Sequence, residues 1–242
     1  MKTHLIVCTL AVSIVAGISA AAQIKGSPYE LGIQLGTGLY NGDLTPDLLS
    51  PYKSPGLFIG LSGSRKLFHS LALRADLSWG KVRADDANYN HPEYRQQRNF
   101  NFKTSILEIT ASLFWDVLGS YQRLVPYLFA GGGLSFVKER RDYSHLNPEY
   151  FINDPAISTG LREDIAHRLP RLIPVLPVGA GMRYSLTQKI ALTLQTSYRL
   201  MSTDYLDGFS KGANPNRKDH YYTHTLGVIY SFGGKNTLAC PR

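Results

Sequence analysis

The chain is poor in cysteine, with two in 242 residues, Cys8 and Cys240. Beyond its first 22 residues it also lacks any run of ~18 apolar residues, the length a membrane-spanning helix needs, which excludes a bundle of such helices. Charged residues are few, at 18%, and hydrophobic ones reach 43%, so the composition does not describe a disordered chain. Tyr (15), Phe (10) and Gly (22) are abundant, and basic residues exceed acidic ones by eight. A basic balance of this size is commonly a nucleic-acid footprint. The N-terminus argues against that here.

Lys2 supplies a positive start, residues 5–16 form an apolar stretch, and the small run Ser19, Ala20, Ala21, Ala22 precedes Gln23. This is the pattern of a secretory signal over residues 1–22, cut after Ala22. The exported chain, 23–242, loses one lysine and keeps a net charge of +7. Cys8 leaves with the signal. Cys240 is then the single thiol, so no internal disulfide forms, and it is either free or paired with another chain.

Two-residue alternation dominates the rest. In 71–81, Leu71, Leu73, Ala75, Leu77 and Trp79 share one face, opposite Arg74, Asp76, Ser78 and Gly80. Residues 106–117 and 190–200 repeat the pattern, and less regular runs fall at 29–40, 57–63, 127–137, 174–184 and 222–232. Eight strands result. Their connections alternate between long polar segments (41–56, 83–101, 138–173 and 202–221) and short ones (64–70, 118–125 and 185–189). An even number of strands about ten residues long, with unequal connections, predicts an all-β fold: an eight-stranded antiparallel up-and-down transmembrane β-barrel. A soluble secreted barrel is the rival. It is disfavoured because the polar face carries Arg74, Asp76, Glu108, Asp116, Arg183 and Arg199, a poor lining for a dry ligand cavity. Aromatic residues also cluster at strand ends: Trp79, Phe136, Tyr198 and Tyr222 towards the long loops, Trp115, Tyr184 and Phe232 towards the turns. These positions suit two membrane-interface girdles.

Eight strands enclose a bore that side chains fill. The six charged residues of the polar face are therefore expected to form an interior network of ion pairs and hydrogen bonds that plugs the barrel, rather than a proton or substrate path. No enzyme is expected. His224 is the one mature histidine inside a strand, and no Ser two residues away or nearby carboxylate accompanies it; His69 and Ser70 sit in a turn without a visible third partner. Asp85, Asp86, Asp204 and Asp207 lie in long loops without calcium-site spacing and read as turn caps. No cofactor motif occurs. With both termini in the periplasm, the turns and tail carry Arg65, Lys66, Arg123, Lys189 and Cys240 and no acid, a basic rim suited to anionic phospholipid headgroups or to an acidic periplasmic partner. The long 138–173 loop, with Tyr143, His145, Tyr150 and Phe151, is the most individual segment.

Several strings carry a resemblance. They are GTGLYNGDL at 36–44, RNFNF at 98–102 followed by ILE at 106–108, PYLFAG at 126–131, TDYLD at 203–207 and the closing Cys240-Pro241. In this order they resemble the PorG family of Bacteroidetes outer-membrane proteins, associated with the type IX secretion system. The resemblance implies an accessory barrel, not the translocon, linking the outer membrane to a periplasmic ring of PorK and PorN type. The alternative is a small barrel like OmpA or OmpX, serving envelope integrity or surface adhesion without a part in secretion.

Overall fold

The computed structural model describes residues 29–47, 49–118, 123–152, 155–203, 205–213 and 219–233. The expected signal segment and Cys240 lie outside the described residues.

Eight antiparallel strands close on themselves in sequence order: β1 (Tyr29–Asn41), β2 (Gly56–Lys66), β3 (Leu71–Asp85), β4 (Asn101–Asp116), β5 (Leu124–Asp142), β6 (Leu172–Ser185), β7 (Ile190–Met201) and β8 (His220–Phe232). β1 pairs with both β2 and β8, so every edge is paired. The eight expected strands are all present, and the short turns gather at one end and the long connections at the other.

Alternation decides what the wall exposes. Leu31, Ile33 and Leu35 on β1 are 56–60% exposed, and Leu226 on β8 is 66% exposed, while Glu30 and Gly32 between them face inward and are buried. The same holds round the barrel, giving a continuous apolar belt. It is bounded by Trp115, Tyr184 and Phe232 at the turn end and by Trp79, Phe136, Tyr198 and Tyr222 at the loop end. Eight to ten residues separate the two aromatic rows. At about 3.3 Å per residue and a tilt of about 40°, that is roughly 20–25 Å along the barrel axis, the height of a hydrocarbon band.

Three strands run further than the alternation indicated. β3, β4 and β5 extend past the aromatic row, over Lys81–Asp85, Asn101–Ser105 and Lys138–Asp142. The polarity inverts there. Val82, Ala84, Phe102 and Val137 face inward and are buried, and Arg83, Lys103, Lys138 and Arg140 face out. A loop-like polar composition thus conceals regular strand, because the wall now meets water outside and an apolar interior.

That interior is one hydrophobic core. Inward residues Tyr40, Phe58, Ile106, Ile173, Val175, Met201 and Tyr221 pack with Leu44, Phe100, Leu161, Leu206 and Phe209 from the long connections. Those connections carry two 3₁₀ turns, a one-turn helix α1 (Tyr94–Arg98) ended by Asn99 in the left-handed conformation, and a longer helix α2 (Pro155–Ala166). Helix α2 lies against the segment after β7. A Cβ at Gly160 would overlap the Lys211 carbonyl, so only glycine permits this approach. Beside it the Asp164 carboxylate accepts from the backbone N–H of Ser210, Lys211 and Gly212 at 2.8–3.1 Å. The long connections are thus folded into a cap over the loop end.

Candidate functional site

The lumen is the first candidate, and it is layered. At the turn end Glu30 meets Lys66 at 3.4 Å and Arg183 at 3.9 Å, while Arg183 reaches Asp116 at 2.5 Å. In the next layer Arg74 holds Asp76 at 2.6 Å, Gln34 donates to the same carboxylate oxygen at 3.1 Å, and Tyr127 donates to Gln195 at 3.2 Å. The Arg74 guanidinium also lies over the Phe114 ring, which stacks on Phe129. Above this, Arg199 reaches across the bore to Glu108 at 3.3 Å. Glu108 accepts further bonds from Ser135 at 3.1 Å and Tyr221 at 2.5 Å, and Arg199 donates to Thr223. Higher still, the apolar core and the cap close the bore.

All six charged residues expected in the lumen face it and are paired; Arg74, Glu108, Asp116 and Arg199 are buried, and Asp76 and Arg183 half-buried. Arg74 and Asp76 pair within β3, and the other two pairs cross the bore. Arg199 on β7 meets Glu108 on β4, and Arg183 on β6 meets Asp116 on β4. The network also includes residues the sequence reading did not single out: Glu30, Gln34, Tyr127, Gln195 and Tyr221. Glu30, Gln34, Tyr127 and Gln195 sit at inward positions of recognised strands, where parity was the available signal, whereas β8 begins at His220 and so takes in Tyr221 from the expected connection. In this set Glu30, Asp76, Glu108 and Asp116 balance Lys66, Arg74, Arg183 and Arg199. A balanced, hydrogen-bonded set is what a low-dielectric interior tolerates. A space of about 20 Å³ remains near the turn end, bordered by Glu30, Arg74, Asp116 and Arg183, about the room one water needs.

The turn-end rim differs from its expected form. Arg65, Arg123 and Lys189 are exposed, with Arg65 over the Tyr29 ring. Lys66 is not a rim residue. β2 continues through it, which turns its side chain inward onto Glu30. The basic rim is therefore Arg65, Arg123 and Lys189, and Cys240 lies outside the described residues.

The loop aspartates also differ. Asp85 does cap a turn, accepting from the Ala87 N–H at 2.9 Å. Asp86 is instead fully buried between Arg95 at 2.9 Å and Arg98 at 2.7 Å. Asp207 caps a turn, accepting from the Phe209 N–H at 2.8 Å, and is also buried against Tyr40, whose hydroxyl lies 2.6 Å from it and 2.5 Å from Asp219. Burial, and then the neighbouring Asp219, push the Asp207 carboxyl well above the usual carboxylate range. Asp204 lies outside the described residues. Among the described residues no group of three His, Cys, Asp or Glu side chains is placed to hold a metal ion. His224 faces outward near the loop end, its ring nitrogens 3.0 Å from the hydroxyls of Tyr52 and Thr196.

Three of the strings behind the family resemblance converge on the cap, while PYLFAG lies at the turn end of β5. The first provides Tyr40, the second Phe100 and Phe102, and TDYLD provides Leu206 and Asp207. Tyr40 packs edge-on against Phe102 at 4.6 Å between centroids, and Phe100 stacks on Phe209 at 4.4 Å.

The chain belongs to the family described as a domain of unknown function, DUF6089, which matches residues 4–241. Among curated proteins none matches it in sequence. Its architecture is similar to Neisserial surface protein A (NspA), with 14% identity and a TM-score of 0.47 over 84% of this chain and 97% of that one. Ail, the attachment invasion locus protein of Yersinia pestis, shares 10% identity with a TM-score of 0.45 over 86% of this chain and 99% of its own. A major outer membrane protein from Thermus thermophilus shares 11% identity with a TM-score of 0.46 over 84% of this chain and 99% of its own. With these scores below 0.5, the closed barrel rests on the chain's own strand register.

Proposed function

We propose that this DUF6089-family chain is an outer-membrane barrel that acts as a structural, non-conducting part of the type IX protein secretion machinery. In this reading the apolar belt sits in the bilayer, with the tight turns and both termini in the periplasm and the cap outside. The barrel then ties the membrane to a periplasmic ring of the PorK and PorN type through the turn end, where Arg65, Arg123 and Lys189 are exposed. The observation that carries the reading is the combination of an exposed apolar belt with a lumen closed by its own side chains. Such a barrel holds a position in a membrane and passes nothing through its bore. The secretion role rests on the resemblance to PorG-like proteins, and no reaction or cofactor is assigned.

Removing the chain from its host and measuring secreted cargo tests the role. Loss of export with an otherwise intact envelope is the expected result. Crosslinking in intact envelopes from photoreactive groups at Arg65 and Arg123 should recover a periplasmic ring protein. The competing reading, an OmpA- or OmpX-like barrel for envelope support or adhesion, is favoured by the ordered cap of helix α2 and its neighbouring loops. It predicts that export persists after deletion. Membrane insertion itself is tested by heat-dependent gel migration after outer-membrane fractionation, and single-channel recordings should show no large, steady conductance.

A further inference from the structure

Directly beyond the loop-end aromatic row, the outward face of β3, β4 and β5 carries a cluster of cations. The register fixes their rows. Trp79, Leu107 and Phe136 stand side by side as the last apolar row. The next outward row is Lys81, Ser105, Lys138, and the one after it is Arg83, Lys103, Arg140. Five cations thus occupy six neighbouring positions. All but Lys81 are exposed, and Lys81 lies over the Trp79 ring at 4.9 Å. Among the described residues none of the five forms an ion pair. Glu139, between Lys138 and Arg140, falls on the inward row with Thr104, and the next outward row, Asp85, Asn101 and Asp142, contains the nearest outward carboxylates. Those are already engaged by backbone N–H groups, Asp85 by Ala87 and Asp142 by Ser144, each at 2.9 Å.

The patch is confined to one sector. One row past Tyr198 and Tyr222, β7 and β8 present Leu200 and His220 outward, with neither Lys nor Arg. Its proportions define an occupant. Adjacent strands are about 4.8 Å apart and successive outward rows about 7 Å apart, so the five charges cover roughly 10 Å by 7 Å. A single phosphodiester, with one negative charge, would leave most of them unanswered. The apolar row immediately below requires the same occupant to carry acyl chains.

We propose that the β3–β5 face binds a lipid bearing at least two phosphate groups, of the phosphorylated-glycolipid (lipid A) class, with its phosphates on Lys81, Arg83, Lys103, Lys138 and Arg140 and its acyl chains along the wall below Trp79 and Phe136. Arg side chains suit this through bidentate phosphate contacts, and Lys through point charge. The inference rests on the membrane orientation proposed above and adds to it a specific lipid contact.

The test uses the full chain purified in non-ionic detergent, with bound lipid read by native mass spectrometry. Diphosphoryl lipid A, chemically dephosphorylated lipid A and inorganic phosphate are the probes. The wild-type chain should retain diphosphoryl lipid A at least tenfold better than the dephosphorylated form, with inorganic phosphate at the same concentration failing to displace it. The variant Arg83→Gln/Lys103→Gln/Arg140→Gln should lose that preference. The variant Arg162→Gln/Arg168→Gln, in which cations of the cap region are removed, should keep it. A second patch variant, Lys81→Gln/Lys138→Gln, reports on the same face should the triple variant fold poorly. Equal retention of the two lipid A forms by the wild-type chain overturns the proposal. So does a preference that survives in the patch variants, is lost equally in the cap variant, or is displaced by inorganic phosphate. Failure of the membrane reading shows separately, as wild-type protein that does not float with vesicles.

Discussion

The Arg199 guanidinium reaches from β7 across the bore to the Glu108 carboxylate on β4 at 3.3 Å, and both side chains are almost wholly buried. The carboxylate is completed by Ser135 and Tyr221, the guanidinium by Thr223. The pair therefore ties four strands, β4, β5, β7 and β8, into a single brace at the boundary between the polar and the apolar lumen.

Breaking that brace on one side should cost more than removing it. Glu108→Ala leaves a buried guanidinium without its counter-charge, a loss of about 3–5 kcal/mol. The double variant Glu108→Leu/Arg199→Met removes both charges and should recover most of it. Urea unfolding in detergent or vesicles, followed by fluorescence, gives the comparison. A single variant within about 0.5 kcal/mol of wild type would show that the pair does not carry the brace.

Gly80 and Phe58 form a second coupled pair, this time through shape. A Cβ at Gly80 would overlap the Phe58 ring, and Phe58 supplies all three of its nearest atoms. Gly80→Ala should therefore destabilise by about 1–3 kcal/mol, the usual cost of overpacking. With Phe58→Leu in place the same substitution should cost far less. A double-mutant cycle with a coupling below about 0.5 kcal/mol would contradict the packing.

Charge reversal at the turn end should separate two neighbours. Arg65 is exposed, so Arg65→Glu, combined with Arg123→Glu, should leave the barrel folded and abolish co-purification with a periplasmic partner. Lys66→Glu instead places a carboxylate beside Glu30 inside the bore. It should lower stability by about 2 kcal/mol or more, since a like-charge pair replaces a partly buried ion pair. Heat-shifted gel migration and partner recovery, measured together on both variants, distinguish the two effects.

These contrasts also mark what the sequence made legible. Strand number, closure and the membrane-height wall follow from alternation, because lipid outside and a polar bore inside keep one polarity over the belt. Arg74 and Glu108 could be placed in the lumen by parity alone. Their partners could not, since an ion pair across the bore depends on barrel shear and tilt, which no local pattern encodes. Lys66 was misplaced for a local reason: β2 ends three residues later than its apolar pattern does, and a turn residue became an inward one. The greatest departure lies beyond Trp79. There Val82 and Phe102 turn inward to meet Leu44, Leu206 and Phe209 from connections distant in sequence, so the strand pattern inverts where its surroundings do.

The cap should loosen as pH rises. The single Tyr40 hydroxyl proton cannot serve both Asp207 at 2.6 Å and Asp219 at 2.5 Å, so one short contact calls for a protonated carboxyl. Burial first, and then the charges of Asp219 and Asp43, hold Asp207 in its neutral form well above the usual carboxylate range. Backbone N–H groups of Leu206 and Asp207 donate to Asp219, and that of Phe209 donates to Asp207, so both carboxyls fasten the 206–209 segment. The sign follows from proton uptake. Between the ordinary aspartate pKa and the raised one, the closed cap binds a proton that the open cap does not, so closure is favoured most below that window and weakens as pH climbs through it. Asp207→Asn supplies a permanent amide in place of the acid and should make the cap far less sensitive to pH. Amide hydrogen exchange over residues 205–213, corrected for the intrinsic effect of pH, should speed up across the window in the wild type and stay nearly level in the variant. Equal pH dependence in both would locate the titrating group elsewhere.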